Sequence, residues 1–592
     1  MIIFIDRKLT DTEILQIKKF VEQGGKCFQS DNYFANAEIL TIPNNFNEQK
    51  LNKFLNTIID FPHRKFNEKT INEIYKYNNI KIFYYHKFRV FYSLKESFIF
   101  SEFLKSHFDD NELIIYSDKK QLPDFFTDDY KITTFSSVIK QSKSDKYLTI
   151  LKYSVFVLTR YFISLFKNYN LKNVKHLIIE NTKPIKLLDQ NLNIKYNNVI
   201  FSYVYDKLDR QALIFNVIDI PKSHKDLKFL KYFFISPRKN VKTFFFEKAF
   251  INNFSFKTYK NIKKQVNEIN NNFNKLIKNP EINCTDKAII KNLMSLSKTT
   301  VFYLTRYESA KRFFNKNNFK TFTATDENGA LTKGIIDAAK AANITTFGTQ
   351  HGGIGKYTLS YILSKKDNLQ DVIPDKTFVW GEYWKDFLIS QGNYPPEKLQ
   401  IVGQIRTDII PKIKEKIKEQ PKNVIFASQP MPDLKYKKRV AIDILNLAKQ
   451  NPDINLIIKL HPFEYNGIGY YNTLAAKIGV SNYKITNEDL YLLIAKSKLV
   501  ITCFSTVGAE ASYFKKPLII IDYHNKDLLK YIKEKIAFGA YNFNDLNNIT
   551  RQITNNDLKP SPTDINNFIN KFAYKIDGNV ANRIIDNLRN EK

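Results

Sequence analysis

Cysteine is scarce in this sequence. The three thiols, Cys27, Cys284 and Cys503, stand far apart, and neither a CxxC pair nor a Cys/His metal spacing occurs. A disulfide framework and a zinc site are therefore excluded as organising devices. With 17 glycines and 19 prolines in 592 residues, a collagen-like or linker-rich architecture is excluded as well. No uncharged apolar run reaches the roughly 20 residues of a membrane-spanning helix. The nearest approach, Tyr147 to Phe166, is interrupted by Lys152 and Arg160 and reads as a buried or interfacial helix. The N-terminal MIIFIDRKLTD carries an acid too early for a signal peptide, so the expectation is a cytoplasmic protein. Acid is also in short supply: 59 Asp+Glu face 91 Lys+Arg, a net charge of +32. Heavy use of Lys, Asn and Ile from end to end accounts for much of this as compositional bias. The remainder suits an acidic lipid surface, hence peripheral contact with the inner membrane, or a polyanionic glycan. No nucleic-acid reading motif accompanies the charge, so nucleic acid is not an expected partner.

What is present is size and a change of pattern. A chain this long exceeds a single hydrophobic core. The first half gives isolated apolar runs, at Ile2–Ile5, Lys81–Tyr85, Leu113–Tyr116, His176–Glu180 and Val199–Tyr203, that read as strands. Helical spacing follows over 257–297. From about residue 319, short apolar strands alternate with longer helical stretches, which predicts parallel sheets covered on both faces. The expected fold is α/β: two Rossmann-like parallel-sheet domains facing a cleft. The N-terminal domain is assigned to 1–360, with helical insertions, and the C-terminal domain to 361–592.

In such sheets ligands bind beyond the C-terminal strand ends. Four places there carry chemistry. In LIIKLHPFE, Lys459 and His461 end an apolar strand that Pro462 stops, and both can meet phosphate oxygens. In VITCFSTVGAE, Ser505 and Thr506 stand at the start of a helix, where free N–H groups attract anions. Glu510 lies one turn further on the same face, placed to accept from ribose hydroxyls. In TFGTQHGG, Gln350, His351, Gly352 and Gly353 form a turn that a ligand can approach closely. HGGIGKYT is not a phosphate loop, because Gln350 and Tyr357 replace the required Gly and Ser/Thr. In TATDENG, Asp326 and Glu327 follow a strand on the other side of the cleft and are candidate bases, with His351 the alternative; Asp326 would equally serve as a helix cap. Arg406 in GQIRTD is a candidate phosphate clamp.

KLHP, followed by ST-x-x-x-E ahead of a Lys-Lys-Pro strand, resembles the GT-B superfamily of bacterial surface-polysaccharide enzymes. The nearest groups are capsular Kdo transferases, sialyl- and polysialyltransferases, and CDP-glycerol glycerophosphotransferases. QHGG and GQIRTD look like that group too, and the resemblance spans about 320–525. It departs at Lys498, where the family carries Asp. The resemblance implies that His461, Ser505 and Thr506 hold the nucleotide's phosphate. It also implies a CMP- or CDP-linked donor, a glycan or lipid-linked glycan acceptor, and an acidic base from the N-terminal lobe of an inverting enzyme. No cofactor is expected beyond the nucleotide-sugar donor as substrate. No DxD motif stands at a strand end, so no metal is expected. Two alternatives remain: a non-hydrolysing UDP-GlcNAc 2-epimerase, disfavoured by the large N-terminal extension, and a non-catalytic nucleotide-binding assembly protein.

Overall fold

In a computed structural model the described residues are 1–66, 68–108, 112–126, 131–136, 143–167, 169–181, 185–217, 242–327, 329–368, 372–420, 422–431, 433–464 and 467–591. They build three parallel sheets. The first contains β1 (Ile2–Ile5), β2 (Lys26–Gln29), β3 (Glu38–Ile39), β4 (Glu112–Tyr116) and β5 (Lys131–Phe135), in spatial order β3-β2-β1-β4-β5. The second contains β6 (His176–Glu180), β7 (Ala212–Asn216), β8 (Lys242–Phe245), β9 (Thr321–Thr325), β10 (Thr345–Thr349), β11 (Lys376–Val379) and β12 (Leu399–Ile401), in order β8-β7-β6-β9-β10-β11-β12. The third contains β13 (Asn423–Ala427), β14 (Asn455–Lys459), β15 (Tyr483–Thr486), β16 (Leu499–Thr502), β17 (Leu518–Ile521) and β18 (Phe538–Ala540), in order β15-β14-β13-β16-β17-β18. Each sheet starts with a central strand, grows to one side and then to the other. That doubly wound order opens a crevice where the direction switches.

The central strands β6, β9, β13, β16 and β17 are buried at every position. Helices cover both faces, so these strands are mainly apolar or hydroxyl-bearing, without alternation, and the other polar residues, His176, Glu180 and Asn423, sit at strand ends. That is why the second half was readable as strands. The fold is α/β with Rossmann-like parallel sheets, as expected, but the N-terminal part holds two sheets rather than one. The boundary also moves. β11 and β12 lie beyond residue 360 yet extend the second sheet, with Phe347 opposite Lys376 and Thr377 opposite Leu399. The passage to the third sheet falls between 401 and 423.

Two expected strands are not strands. Within Lys81–Tyr85 the chain enters helix α2 (Phe83–His107), whose consecutive Phe83, Tyr84 and Tyr85 are all buried. A core helix is apolar on every side and mimics the apolar run of a buried strand. Val199–Tyr203 is a turn leading into helix α4 (Ser202–Lys207); Asn198 Oδ1 accepts from the N–H groups of Ile200 and Phe201 and forces the bend. Other helices used below are α1 (Asp11–Glu22), α3 (Lys143–Leu165), α5 (Phe246–Asn253), α6 (Ala330–Lys340), α7 (Leu434–Gln450), α8 (Val507–Tyr513), α9 (Pro562–Ala573) and α10 (Val580–Arg589). The helical reading of 257–297 corresponds to Phe256–Ile277 and Cys284–Ser295.

After the third sheet, the chain returns to the second. Phe572 accepts from Trp384 Nε1 at 2.9 Å. Both oxygens of Asp408, in the turn after β12, accept N–H groups from Val580 and Ala581 at 2.8 Å and cap α10. Arg583 donates to Val402 O at 2.7 Å, and Arg589 pairs with Asp209 at 2.8 Å. One apolar cluster runs from the second sheet through Ile405, Ile409 and Ile413 to Tyr491, Ile494 and Tyr513 of the third. These ties fix the two C-terminal strand edges against one another.

Candidate active site

The candidate site residues lie at a C-terminal strand end, just beyond one or in the element that follows. On the third sheet, Lys459 closes β14 and His461 follows it. Phe463 N–H donates to His461 Nδ1 at 3.2 Å, an arrangement that keeps the proton on Nε2. The ring therefore presents a donor outward, while Pro462 and Phe463 are exposed beside it. The turn is held from below by Glu464. Its Oε2 accepts from His461 N–H and from the Ser428 hydroxyl, and its Oε1 meets Lys437 at 2.7 Å. Those contacts outweigh burial and leave the Glu464 pKa lowered. Lys459 is half-buried; desolvation lowers its pKa, with Asp489 acting in the opposite direction.

At the end of β16, Phe504 N–H donates to Gln429 Oε1 at 3.0 Å, tying this strand end to that of β13. Ser505 Oγ accepts from Val507 N–H at 3.3 Å and its carbonyl accepts from Gly508 N–H at 3.1 Å. Ser505 thus performs the capping. Thr506 makes no side-chain cap bond and is exposed, so its hydroxyl is the freer of the two. The crevice between β13 and β16 is the switch point of the third sheet.

Arg406 and Glu510, assigned separately to phosphate and ribose, are each other's partners. Arg406 Nη1 lies 3.6 Å from Glu510 Oε1, and its guanidinium sits over the Tyr491 ring at 5.1 Å. Burial alone would lower the Arg406 pKa, but Tyr491, Glu510 and further oxygen groups leave it raised. Glu510 is itself buried, which raises its pKa against the pull of Arg406. In this arrangement the pair joins the second and third sheets.

On the second sheet, the switch point lies between β6 and β9. Asn181, after β6, donates to Thr325 O at 3.1 Å and accepts from Thr325 Oγ1 at 2.8 Å, closing the base of the crevice. Asp326 stands at its rim with φ of 50°. That left-handed conformation is unusual for a residue with a side chain and collects at functional sites. A Cβ on Gly329 would lie 2.3 Å from Asp326 Oδ2, so the carboxylate can occupy its place only above a glycine. Asp326 retains solvent access, yet neighbouring atoms crowd its carboxyl, and desolvation raises its pKa while His351 draws it back. Those two residues come together across the ends of β9 and β10, and His351 is exposed.

Glu327 points the other way. It is 1% exposed, and burial, with Asp326 adding to it, pushes its pKa up to about 8 against a hydrogen bond from Tyr361. Tyr361 Oη donates to Oε2 at 3.2 Å, while the buried Oε1 has no hydrogen-bond partner among the described residues. The space for this carboxyl exists because residue 348 is glycine, whose Cβ would stand 2.7 Å from Oε1. Gln350 is likewise committed inward. It donates to Gly352 O at 2.9 Å and accepts from Trp380 N–H at 2.9 Å, fixing the turn that presents His351. Lys498, the departure from the family pattern, lies 3.7 Å from Glu419 on the protein's flank.

Several members of the site escaped the sequence reading. Glu464 was visible in the run HPFE, and Gln429 stands at the strand end ASQP, but single polar residues after strands are too common to distinguish. Asn181 and Asp489 carried no local signal. Among the described residues, no group of three His, Cys, Asp or Glu side chains could hold a metal ion.

Residues 423–590 match the family model described as CDP-Glycerol:Poly(glycerophosphate) glycerophosphotransferase. The matched segment is the part of the chain built on the third sheet. It contains His461, Ser505, Thr506 and Glu510, and its match runs through α9 and α10, the helices that return to the second sheet. Together with the second sheet it gives two doubly wound, Rossmann-like parallel sheets. No curated protein matches the chain. Among solved structures, UDP-GlcNAc 2-epimerase from Neisseria meningitidis is 15% identical, covering 70% of this chain and 100% of its own, with a TM-score of 0.43. A variant of the wall teichoic acid polymerase TagF is 13% identical over 76% of this chain and 98% of its own, with a TM-score of 0.37. A glycosyltransferase from Rickettsia africae is 11% identical over 72% and 100%, with a TM-score of 0.38. These three likenesses are too remote to carry an argument about activity.

Proposed function

We propose that this protein transfers a sugar, sugar acid or polyol phosphate from a CMP- or CDP-activated donor to a glycan or lipid-linked glycan acceptor, at the inner membrane face and without a metal. The observation that carries this reading is the His461 turn. A ring whose Nδ1 is occupied by a backbone N–H offers Nε2–H outward at the mouth of the third sheet. Lys459 closes the same strand, β14, and the exposed Thr506 hydroxyl follows β16, on the far side of β13. Together they form a donor set suited to a pyrophosphate leaving group. Asp326 stands at the switch point of the second sheet. In an inverting transfer the base approaches from the face opposite the departing nucleotide. Asp326, strained, solvent-accessible and beside His351, fits that role better than the sealed Glu327. Glu327 would hold the floor under the catalytic turn, and Arg406 with Glu510 would set how far the lobes separate.

The experiment is a thermal-shift and calorimetric panel of CMP, CDP, UDP, GDP and ADP on the full chain, followed by transfer assays with and without EDTA. A ligand at 100 times its Kd adds about 2.7 kcal/mol of stability. The cytidine nucleotides are expected to stand out and transfer to survive EDTA. Preference for UDP, with turnover of UDP-GlcNAc alone, would replace this reading with an epimerase. Nucleotide binding without transfer or donor hydrolysis would favour an assembly protein.

A further inference from the structure

Helix α3 is seated on the outer strand β8 and on α5. Its inner face is fixed by Phe156, Arg160 and Ser164, all buried. Arg160 is fully buried, lies 2.7 Å from Glu247 of α5, and donates to Asn216 Oδ1 at 2.5 Å. Asn216 in turn donates to Glu180 at 2.7 Å. Asn216 and Glu180 are the last residues of β7 and β6, so α3 is anchored to the same C-terminal sheet edge that bears Asp326.

Its outer face is apolar and, among the described residues, uncovered. Leu151, Val155, Leu158, Phe162, Leu165 and Phe166 recur at helical spacing with exposures between 47% and 90%. The other exposed positions over 153–166 are Ser154 and Thr159, so no charge interrupts this stretch of the stripe. Singly exposed apolar residues are ordinary, whereas a continuous stripe marks a contact surface. At the end of the stripe a cavity of about 390 Å³ opens, lined by Leu165, Phe166, Tyr169 and Phe244 together with Lys167 and Lys248. Lys248 Nζ is held 3.0 Å from Ser164 O, and Lys167 Nζ lies 4.5 Å from the Phe245 ring centre. Among the described residues neither lysine has a carboxylate partner.

We propose that this stripe and the adjoining two-lysine cavity form the surface by which the protein lies on an anionic lipid bilayer, with a lipid phosphate in the cavity. An apolar helix face lying in the membrane plane beside basic side chains is the arrangement that binds such surfaces. No described helix is long and apolar enough to cross a membrane, so contact through this face is parallel to the bilayer. A second copy of the chain is the poorer occupant, because each copy carries a net charge of +32 and would bring like charge to like. The anchoring of α3 to β6 and β7 would turn the crevice edge towards the lipid, where a lipid-linked acceptor is presented. That last consequence rests on the proposed function; the lipid contact does not.

The test is co-sedimentation of the full chain with vesicles of phosphatidylcholine alone and of phosphatidylcholine with phosphatidylglycerol, alongside calorimetric nucleotide binding. The wild type is expected to bind the anionic vesicles at least tenfold more tightly than the neutral ones. Leu158→Asp with Phe162→Asp should lower that binding at least tenfold, and Lys167→Ala with Lys248→Ala about three- to tenfold. Leu15→Asp, at an exposed position of α1, should leave it unchanged, and nucleotide affinity should persist throughout. Circular dichroism and melting temperature certify that each variant is folded. Equal binding to neutral vesicles, or folded stripe variants that bind as the wild type does, would overturn the proposal. So would a wild-type dimer that the stripe substitutions disperse. Loss of vesicle binding with nucleotide affinity retained separates this claim from the donor site.

Discussion

The first and third sheets wind in the same way but use their switch points differently. At the first, between β1 and β4, Asp6 accepts from Ser30 at 2.9 Å, from Ser117 at 3.0 Å and from Lys119. The neighbouring Arg7 pairs with Glu13 at 2.6 Å and donates to Phe135 O at 3.2 Å. These pairings satisfy the charged residues at those strand ends, and the crevice is closed by the protein's own ions. At the third, the polar groups below the crevice are satisfied by one another, through Glu464 with Ser428 and Gln429 with Phe504 N–H. His461 and Thr506 are left facing outward. The same winding therefore yields a structural clasp in one sheet and, in the proposed reading, a ligand-accepting mouth in the other. The difference lies in whether the strand-end charges are mutually neutralised.

The largest test of this contrast is at the facing lobe. Asp326→Asn is expected to reduce transfer by about 10²–10⁴-fold with little change in nucleotide affinity. His351→Ala should cost less. If both keep near-normal turnover, the base lies elsewhere in the N-terminal lobe. Next comes the mouth itself. His461→Ala should weaken nucleotide binding by roughly 1.5–3 kcal/mol, read by calorimetry, and Ser505→Ala with Thr506→Ala should act in the same direction. Unchanged affinity in both would equate the third sheet with the first. The converse substitution, Asp6→Asn, should lower stability by about 1–3 kcal/mol in denaturant melts, because Lys119 loses its partner, while nucleotide affinity stays put. A fall in affinity there would show that the first crevice also takes a ligand.

The remaining test is a pH slope. The Glu327 carboxyl, raised to about 8 by burial, binds its proton more tightly in the folded than in the unfolded chain. Folding is thus favoured by protonation, and this contribution is lost as pH rises from the ordinary carboxylate range through about 8. Glu327→Gln copies the protonated acid and should flatten that slope, making the variant more stable than the wild type near pH 8.5 in thermal melts. A variant with the wild-type slope would place the titration elsewhere.

The second half of the molecule was legible because doubly covered strands must be continuously apolar and must end in turns, which is where His461, Ser505 and Asp326 sit. The first half was harder because the same apolar richness appears in α2, a largely buried helix, and in the turn before α4. The domain boundary was misplaced for a different reason: β11 and β12 look like any other strands, and only pairing reveals which sheet they extend. Roles were harder to read than places. Nothing local distinguishes Asp326, standing in solvent with a positive φ, from Glu327, sealed over Gly348. Nor does anything local show that Arg406 and Glu510, distant in sequence, neutralise each other.

The clamp between Asp408 and the start of α10 closes over a sequence separation of 172 residues. During synthesis at about 5–20 residues per second, the turn after β12 therefore waits roughly 10–30 s for its cap. The middle sheet is exposed to the cell before the segment that completes it has been made, with the buried carboxyl of Asp408 unmatched throughout. Whatever shelters that edge in the interval, a ribosome surface or a chaperone, sets how much newly made chain reaches the finished state.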